Sequence, residues 1–321
     1  MLAYILRRLL HLIPILLGMT LLSFLVIQLA PGDYFDQLRL NPQISPDTIE
    51  KMREQFHLDK PLWMQYLMWV RGLIQFDLGY SFSYHTPVSS LIIARLGNTL
   101  ILSIAALIIS WGLAIPIGIY CAVKQYSWVD KFFSLFSYVG MSLPTFFVAF
   151  LLLFFAATTG WLPVGGMVAA DHDTMSIFGK ILDYLYHLII PAAVLGFNAI
   201  ASLSRIMRGN MLENLRAQYV ITARAKGLKE KAVIFKHTLR NSINPMITIF
   251  GYSLSDLLTG AALTEIICSW PGLGRLMLEA VMSQDIFVIM ADLLMGGLLL
   301  IIGNLIADVL LAVSDPRIRY S

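Results

Sequence analysis

Charge is scarce in this chain: only 13% of its 321 residues are Asp, Glu, Lys or Arg, against 58% hydrophobic residues. With a mean hydropathy of +0.73 the sequence is too apolar for a water-soluble globule and has the composition of an integral membrane protein. Cysteine is scarcer still. Cys121 and Cys268 are the two in the sequence, and they fall near the ends of different apolar stretches, which excludes a disulfide framework or a thiolate metal site and leaves them as small buried apolar residues. Catalytic signatures are missing too. There is no GxxxxGK[ST] phosphate loop, no GxSxG elbow and no HExxH pair, so nucleotide hydrolysis by that loop, serine acyl transfer and zinc proteolysis are not expected. The six histidines (His11, His57, His85, His172, His187, His237) are scattered without ligand spacing and read as surface or interfacial residues; no metal site is expected.

What the chain has is long apolar runs. A membrane-crossing helix needs about 20 mostly apolar residues, and six segments qualify: Leu9 to Ala30, Asn98 to Val123, Phe132 to Gly160, Leu188 to Arg208, Asn244 to Cys268 and Phe287 to Val313. The first follows Arg7 and Arg8 as a signal peptide would, but its apolar run is too long and Pro31 follows Ala30 directly, so it reads as a retained anchor. If the N-terminus is cytoplasmic, the inward-facing segments collect 15 of the 23 Lys and Arg and only 4 of the 20 acids. That asymmetry predicts both termini inside. The expected fold is therefore an all-α membrane protein of six transmembrane helices, forming one domain over residues 1–321.

Outside, the longest non-spanning segment covers residues 31–97. Ser45 is placed to cap a helix beginning at Pro46, and Leu62, Tyr66, Trp69, Leu73 and Phe76 recur at helical spacing. This apolar face suits either a helix packed on the spans or the membrane surface, or a docking surface or gate for an external partner. Inside, residues 209–243 contain the basic stretch "QYVITARAKGLKEKAVIFKHTLRN". Residues 216–225 favour helix, Gly227 can supply the turn that ends it, and a second helix can run from Lys229 to about Ser242 before Pro245. A basic hairpin of this kind can act as a lever gripped by a soluble partner, or as an anchor on anionic headgroups. Within the spans, Ala114, Gly118 and Ala122 recur every four residues and allow close helix contact, inside the chain or with a partner chain. Asp256 lies mid-span, with Tyr252 and Thr259 on the same side as a candidate polar stripe along a translocation path.

The hairpin segment "YVITARAKGL" with "HTLRN" and Pro245 resembles the cytoplasmic coupling segment of ABC importer permeases, in the B-type subunit of the dipeptide/oligopeptide/nickel branch. Nine further segments are similar in the same order: "LRRLLHLIPILLGMTLLSFLVIQLAPGD", "LDKPLWMQYLMWV", "FDLGYS", "PVSSLIIARLGNTL", "GMSLPTFF", "GWLPVGG", "SRIMRGNMLENL", "SWPGLGRL" and "NLIADVLLAVSDPRIRY". The resemblance implies the type I importer fold and a non-enzymatic permease subunit in a prokaryotic inner membrane. It implies that Tyr219, Thr222, Ala223 and Gly227 form the core inserted into an ATPase groove, with Arg224, Ala225 and Lys226 beside it and His237, Arg240 and Asn241 in the second half of the motif. Gln218 and Ile221 depart from the acidic residues of the broader motif and leave the pairing of Arg216 and Arg224 open.

The implied partners are a homologous C-type permease, one or two cytoplasmic ABC ATPases and an external substrate-binding protein. ATP and Mg are bound by the ATPases, and no cofactor is expected on this chain. Peptides are the implied substrates, with nickel chelates, glutathione, antimicrobial peptides and oligosaccharides as alternatives. A different class of protein stays open beside it: a stand-alone secondary transporter or channel using Asp256, Asp292 and Asp308 as ion or proton sites.

Overall fold

The computed structural model describes residues 2–29, 32–39 and 43–314, and those residues are mostly helical, with one isolated β-bridge between Tyr80 and Pro87. In order the helices are α1 (Leu2–Gln28), α2 (Tyr34–Leu38), α3 (Pro46–Gln55), α4 (Leu62–Ile74), α5 (Val88–Val123), α6 (Trp128–Ser142), α7 (Thr145–Thr159), α8 (Ile177–Leu215), α9 (Gln218–Ala225), α10 (Glu230–Ala232), α11 (Leu239–Ser242), α12 (Asn244–Ile267), α13 (Leu273–Met282) and α14 (Ile286–Ser314). Each of the six apolar stretches falls on a helix or helix pair. Among the described residues, Val88–Val123, Ile177–Leu215 and Ile286–Ile306 are by themselves long and apolar enough to cross a membrane. The chain is a multi-pass membrane protein.

The stretch expected as one span over residues 132–160 is instead the bent pair α6 and α7, which meet at 111°. Pro144 explains the break. It disfavours helical backbone at the residue before it, so Leu143 is extended (φ −87°, ψ 131°) and α7 restarts from Pro144. α5 and α8 also run beyond their expected spans, starting ten and eleven residues early.

The chain divides into two compact units. The first takes residues 1–98 and 272–299. Its core gathers Phe24, Phe35, Ile49, Trp69, Phe82, Ile286, Met290 and Leu294. Phe82 sits among Tyr34, Phe35, Phe56 and Phe287, with ring centroids 4.8–5.5 Å away. The described residues of the long segment 31–97 are thus folded. Ser45 caps α3 as expected, its Oγ accepting from Thr48 N at 3.2 Å, and Arg53 holds Asp33 and Asp36 at 2.7 and 3.0 Å. The face of α4 serves internal packing: Tyr66 Oη donates to the Leu17 carbonyl of α1 at 2.9 Å, Trp69 is buried and Leu73 packs on the same core. Phe76 does not belong to that face. α4 ends at Ile74, and Phe76 is 91% exposed with φ +60°. Leu62 remains half-exposed at the edge of a cavity of about 740 Å³.

The loop after α4 is tied down by carboxylates. Ser81 Oγ donates to Asp285 Oδ2 at 2.6 Å, Ser83 N donates to the same oxygen at 3.1 Å, and Tyr84 Oη donates to Glu279, which also accepts from Arg275 Nε at 2.9 Å.

The second unit, residues 99–271 and 300–321, is organised around α8. Ala114 and Ala122 are buried with Leu203, Met207 and Met211, and a Cβ placed on Gly118 would lie 2.6 Å from Met207 Cβ. The small-residue stripe of α5 therefore serves packing within this chain. Thr99 Oγ1 donates to the fully buried Glu265 at 2.6 Å. Cys121 and Cys268 are buried free thiols. Two histidines depart from the surface reading: His187 is buried, and it and His172 both contact Asp183, at 3.0 and 2.6 Å.

Candidate functional site

The basic hairpin is built from α9, a glycine turn, α10, a π-helical turn (Val233–Thr238) and α11. α9 starts at Gln218 because Ala217 is extended (φ −70°, ψ 148°), two residues later than the composition suggests. Its end is closed by a pair of hydrogen bonds. Gly227 N donates to the Arg224 carbonyl at 2.9 Å and Leu228 N to the Ala223 carbonyl at 3.4 Å, with Gly227 at φ +75°. This is the Schellman arrangement, which needs a left-handed residue at the position after the cap and is most easily met by glycine.

Beyond the turn the chain doubles back, and three small apolar side chains close the hairpin: Val220, Ala223 and Val233 are buried against one another. Arg224 crosses the same turn to Glu230, with Nη2 at 2.6 Å and Nε at 3.2 Å from its two oxygens. That hydrogen bond holds the Glu230 carboxyl below its usual range. The pairing left open for Arg224 is therefore intramolecular.

Both arms are fastened to α8. Tyr219 Oη donates to Asn214 Oδ1 at 2.7 Å, and Asn214 Nδ2 in turn donates to the Asn210 carbonyl at 2.9 Å. On the other arm, Asn210 Nδ2 donates to the Ser242 carbonyl at 3.3 Å, while Ser242 Oγ shares its proton between the Thr238 carbonyl at 2.9 Å and the Asn210 carbonyl at 3.2 Å. Thr238 and Ser242 are completely buried, and Thr238 Oγ1 donates to the Val233 carbonyl at 3.0 Å across the π-helical turn. Ile234, Leu239 and Ile243 join Met207, Met211 and Met246 in one apolar cluster beneath it. At the first turn of α6, Ser127 Oγ caps the helix by accepting from Asp130 N at 3.2 Å, and the Asp130 carboxylate grips Arg208 of α8 through Nε at 2.6 Å and Nη2 at 2.9 Å.

The side chains named from the sequence divide by exposure. Tyr219, Thr222, Arg224, Ala225, Lys226, Gly227, Arg240 and Asn241 face outward, with Ile221, Leu228 and Phe235 as exposed apolar neighbours. Ala223 is buried inside the hairpin and His237 is half-buried. Tyr252, Asp256 and Thr259 lie on α12, but their side chains fall outside the described residues. Sequence reasoning missed Asn210, Asn214, Ser242 and the Asp130–Arg208 pair. Only the Ser127 to Asp130 spacing, which suits a helix N-terminus, carried a local signal. Among the described residues no group of three His, Cys, Asp or Glu is placed to hold a metal ion.

Two family models together match nearly the whole chain. The model for the binding-protein-dependent transport system inner membrane component covers residues 114–320, and that for its N-terminal part covers residues 1–103. The oligopeptide transport system permease protein AppB of Bacillus subtilis (strain 168) is 42% identical over 322 residues, covering 100% of both chains. The dipeptide transport system permease protein DppB of Alkalihalophilus pseudofirmus is 37% identical over 334 residues, again covering 100% of both. DppB of Escherichia coli (strain K12) is 36% identical over 337 residues, covering 100% of this chain and 99% of that one. A crystal structure of an amino acid ABC transporter with histidines is similar at a TM-score of 0.47 and 16% identity, covering 72% of this chain and 95% of that one. With matches running from end to end, the chain belongs to the inner membrane component family of binding-protein-dependent transport systems, as a permease subunit.

Proposed function

We propose that this chain is the pore-forming permease of an ATP-driven importer of di- and oligopeptides in a prokaryotic inner membrane. In this reading it crosses the membrane six times with both termini cytoplasmic. It pairs with a homologous permease, receives substrate from an external binding protein and is driven by one or two ATPase subunits, which bind the ATP and Mg. The peptide substrate follows the names of the relatives, two of which are dipeptide permeases and one an oligopeptide permease.

One observation carries the mechanism: the hairpin is rigid at its tip and fastened at its base. Gly227 and the Arg224–Glu230 pair set the tip, while Asn210, Asn214 and Ser242 tie both arms to α8. An ATPase gripping the outward residues Tyr219, Thr222, Arg224, Ala225, Lys226, Gly227, Arg240 and Asn241 therefore moves α8 and α12 with the hairpin. Ala223 and His237 support that surface from within. Tyr252, Asp256 and Thr259 remain the proposed polar stripe of the path, and Leu62 is the member of the external face still open to a docking partner.

The test is reconstitution. The permease pair, ATPases and binding protein in proteoliposomes should take up a labelled tripeptide only with ATP and binding protein present. Uptake by this chain alone, driven by an ion gradient, would overturn the reading in favour of a secondary transporter.

A further inference from the structure

Near the basic end of α8, two arginines stand three residues apart and are used differently. Arg208 is engaged bidentately by the buried Asp130 through Nε and Nη2. Arg205 is exposed and meets no carboxylate among the described residues; its Cζ lies 5.8 Å from the centroid of the Tyr138 ring, and Tyr138 is itself 62% exposed. Both arginines line a small open cavity of about 50 Å³ with Ser134, Ser137 and Ser204. The hydroxyls of Ser137 and Ser204 donate to the carbonyls of Phe133 and Ala201, so the cationic groups of the lining are the guanidiniums of Arg205 and Arg208. The Arg205 side chain is oriented by the ring below it.

The surroundings say what kind of anion fits. Trp128 and Phe132 project from the first turns of α6, 81% and 50% exposed, with their rings stacked 6.4 Å apart. Lys124 and Lys131 flank them and are exposed. Exposed aromatics beside basic residues at the end of apolar helices are the composition of a membrane–water interface. A guanidinium binds phosphate in a planar, paired geometry that an ammonium lacks. The cavity has room for one small oxyanionic group and not for a nucleotide or peptide.

We propose that Arg205 and Arg208 form a site for the phosphate of an anionic phospholipid in the leaflet that faces the hairpin, with Trp128 and Phe132 seated at the headgroup level beside it. The leaflet assignment rests on the orientation proposed above, whereas the site itself does not depend on transport.

The test is native mass spectrometry of the full chain in detergent, titrated with phosphatidylglycerol, phosphatidylcholine or inorganic phosphate. The wild-type chain should retain one phosphatidylglycerol. Arg205→Gln should weaken that retention roughly fivefold, the effect of about one basic residue at a membrane surface, and Arg205→Lys, which keeps the charge but not the planar fork, should recover only part of it. Arg205 is exposed, so both variants should insert and fold as wild type does. Retention unaltered in Arg205→Gln would overturn the site. Equal retention of phosphatidylcholine would overturn its preference for an anionic headgroup. Inorganic phosphate displacing the lipid at equal concentration would make it a free-anion site and overturn the lipid assignment. Absence of peptide uptake by the wild-type complex with lipid retention intact would count against the importer reading and leave this site standing.

Discussion

Asn210 and Ser242 exchange hydrogen bonds across the base of the hairpin, each backbone carbonyl accepting from the other residue's side chain, at 3.3 and 3.2 Å. Ser242 is fully buried, so this link is shielded from water. It joins the last turns of α8 to the last residue of α11, two residues before α12 begins.

Ser242→Ala should therefore loosen the lever without unfolding it. Losing one buried hydrogen bond costs about 1 kcal/mol, small against membrane insertion. The expected outcome is an assembled complex that transports fewer peptides per ATP hydrolysed, measured by parallel uptake and phosphate release in proteoliposomes. An unchanged ratio would show that the Ser242 hydroxyl carries no motion, the bond from Asn210 Nδ2 to the Ser242 carbonyl being kept in this variant.

Gly227 separates a lever from a charge anchor. No atom lies within 4 Å of a Cβ placed there, so the cost of a side chain is the backbone cost of φ +75° alone, roughly 1 kcal/mol or more for a β-branched residue. Gly227→Val should insert normally yet fail to retain or stimulate the ATPase, while Gly227→Asn, which tolerates this conformation, should retain it. Neutralising Lys226, Lys229 and Lys231 removes three charges and leaves both the turn and the Arg224–Glu230 pair intact. If ATPase co-purification falls only in that charge variant, the lever account fails.

Gly118 should behave as a packing residue. A Cβ there would lie 2.6 Å from Met207 Cβ and 2.8 Å from the Ser204 carbonyl oxygen. Gly118→Ala should lower stability in detergent by about 1–3 kcal/mol, the range for overpacking. Met207→Gly added to it should cost less than the sum of the two single changes, because only glycine removes both the Cβ at 2.6 Å and the Cγ at 2.9 Å, while the carbonyl clash stays. Additive losses in the double variant would place the Gly118 contact elsewhere.

The loop clasp at Tyr84 and Glu279 should open at both ends of the pH scale. Burial and then the hydrogen bond to Glu279 push the Tyr84 hydroxyl from 10.0 up to about 12. A raised value stabilises the fold fully below pH 10 and ceases to do so as pH climbs through about 12. Burial works to raise the Glu279 carboxyl, but the bonds from Tyr84 and Arg275 outweigh it and hold it below its ordinary range. Its contribution is present above the unfolded value of about 4.3 and is lost as pH falls through the lower folded one. Hydrogen exchange of residues 80–87 should speed up in both directions, and Tyr84→Phe should abolish the alkaline limb. Protection that stays flat across the alkaline range in the wild-type chain would rule the clasp out.

Much of this molecule was legible in its residues because the signals are local. Apolar length marks the candidate spans, Ser45 before Pro46 marks the start of α3, and Gly227 after a short helical run marks the turn of the hairpin. The break at Leu143–Pro144 was local as well, since proline restricts the residue before it, yet the surrounding apolar run reads as one span and hides it.

What residue order by itself determined was the helical membrane class, the basic hairpin and the family, each of which depends on composition or on short motifs. Tertiary structure alone decided which polar groups meet. Asp130 finds Arg208 78 residues away, Ser81 finds Asp285 204 residues away, and Trp69 is buried in a core with Phe24 and Phe82. Such pairings follow from how helices pack. A buried donor or acceptor must find a partner wherever the packing brings one, and no spacing along the chain encodes that meeting.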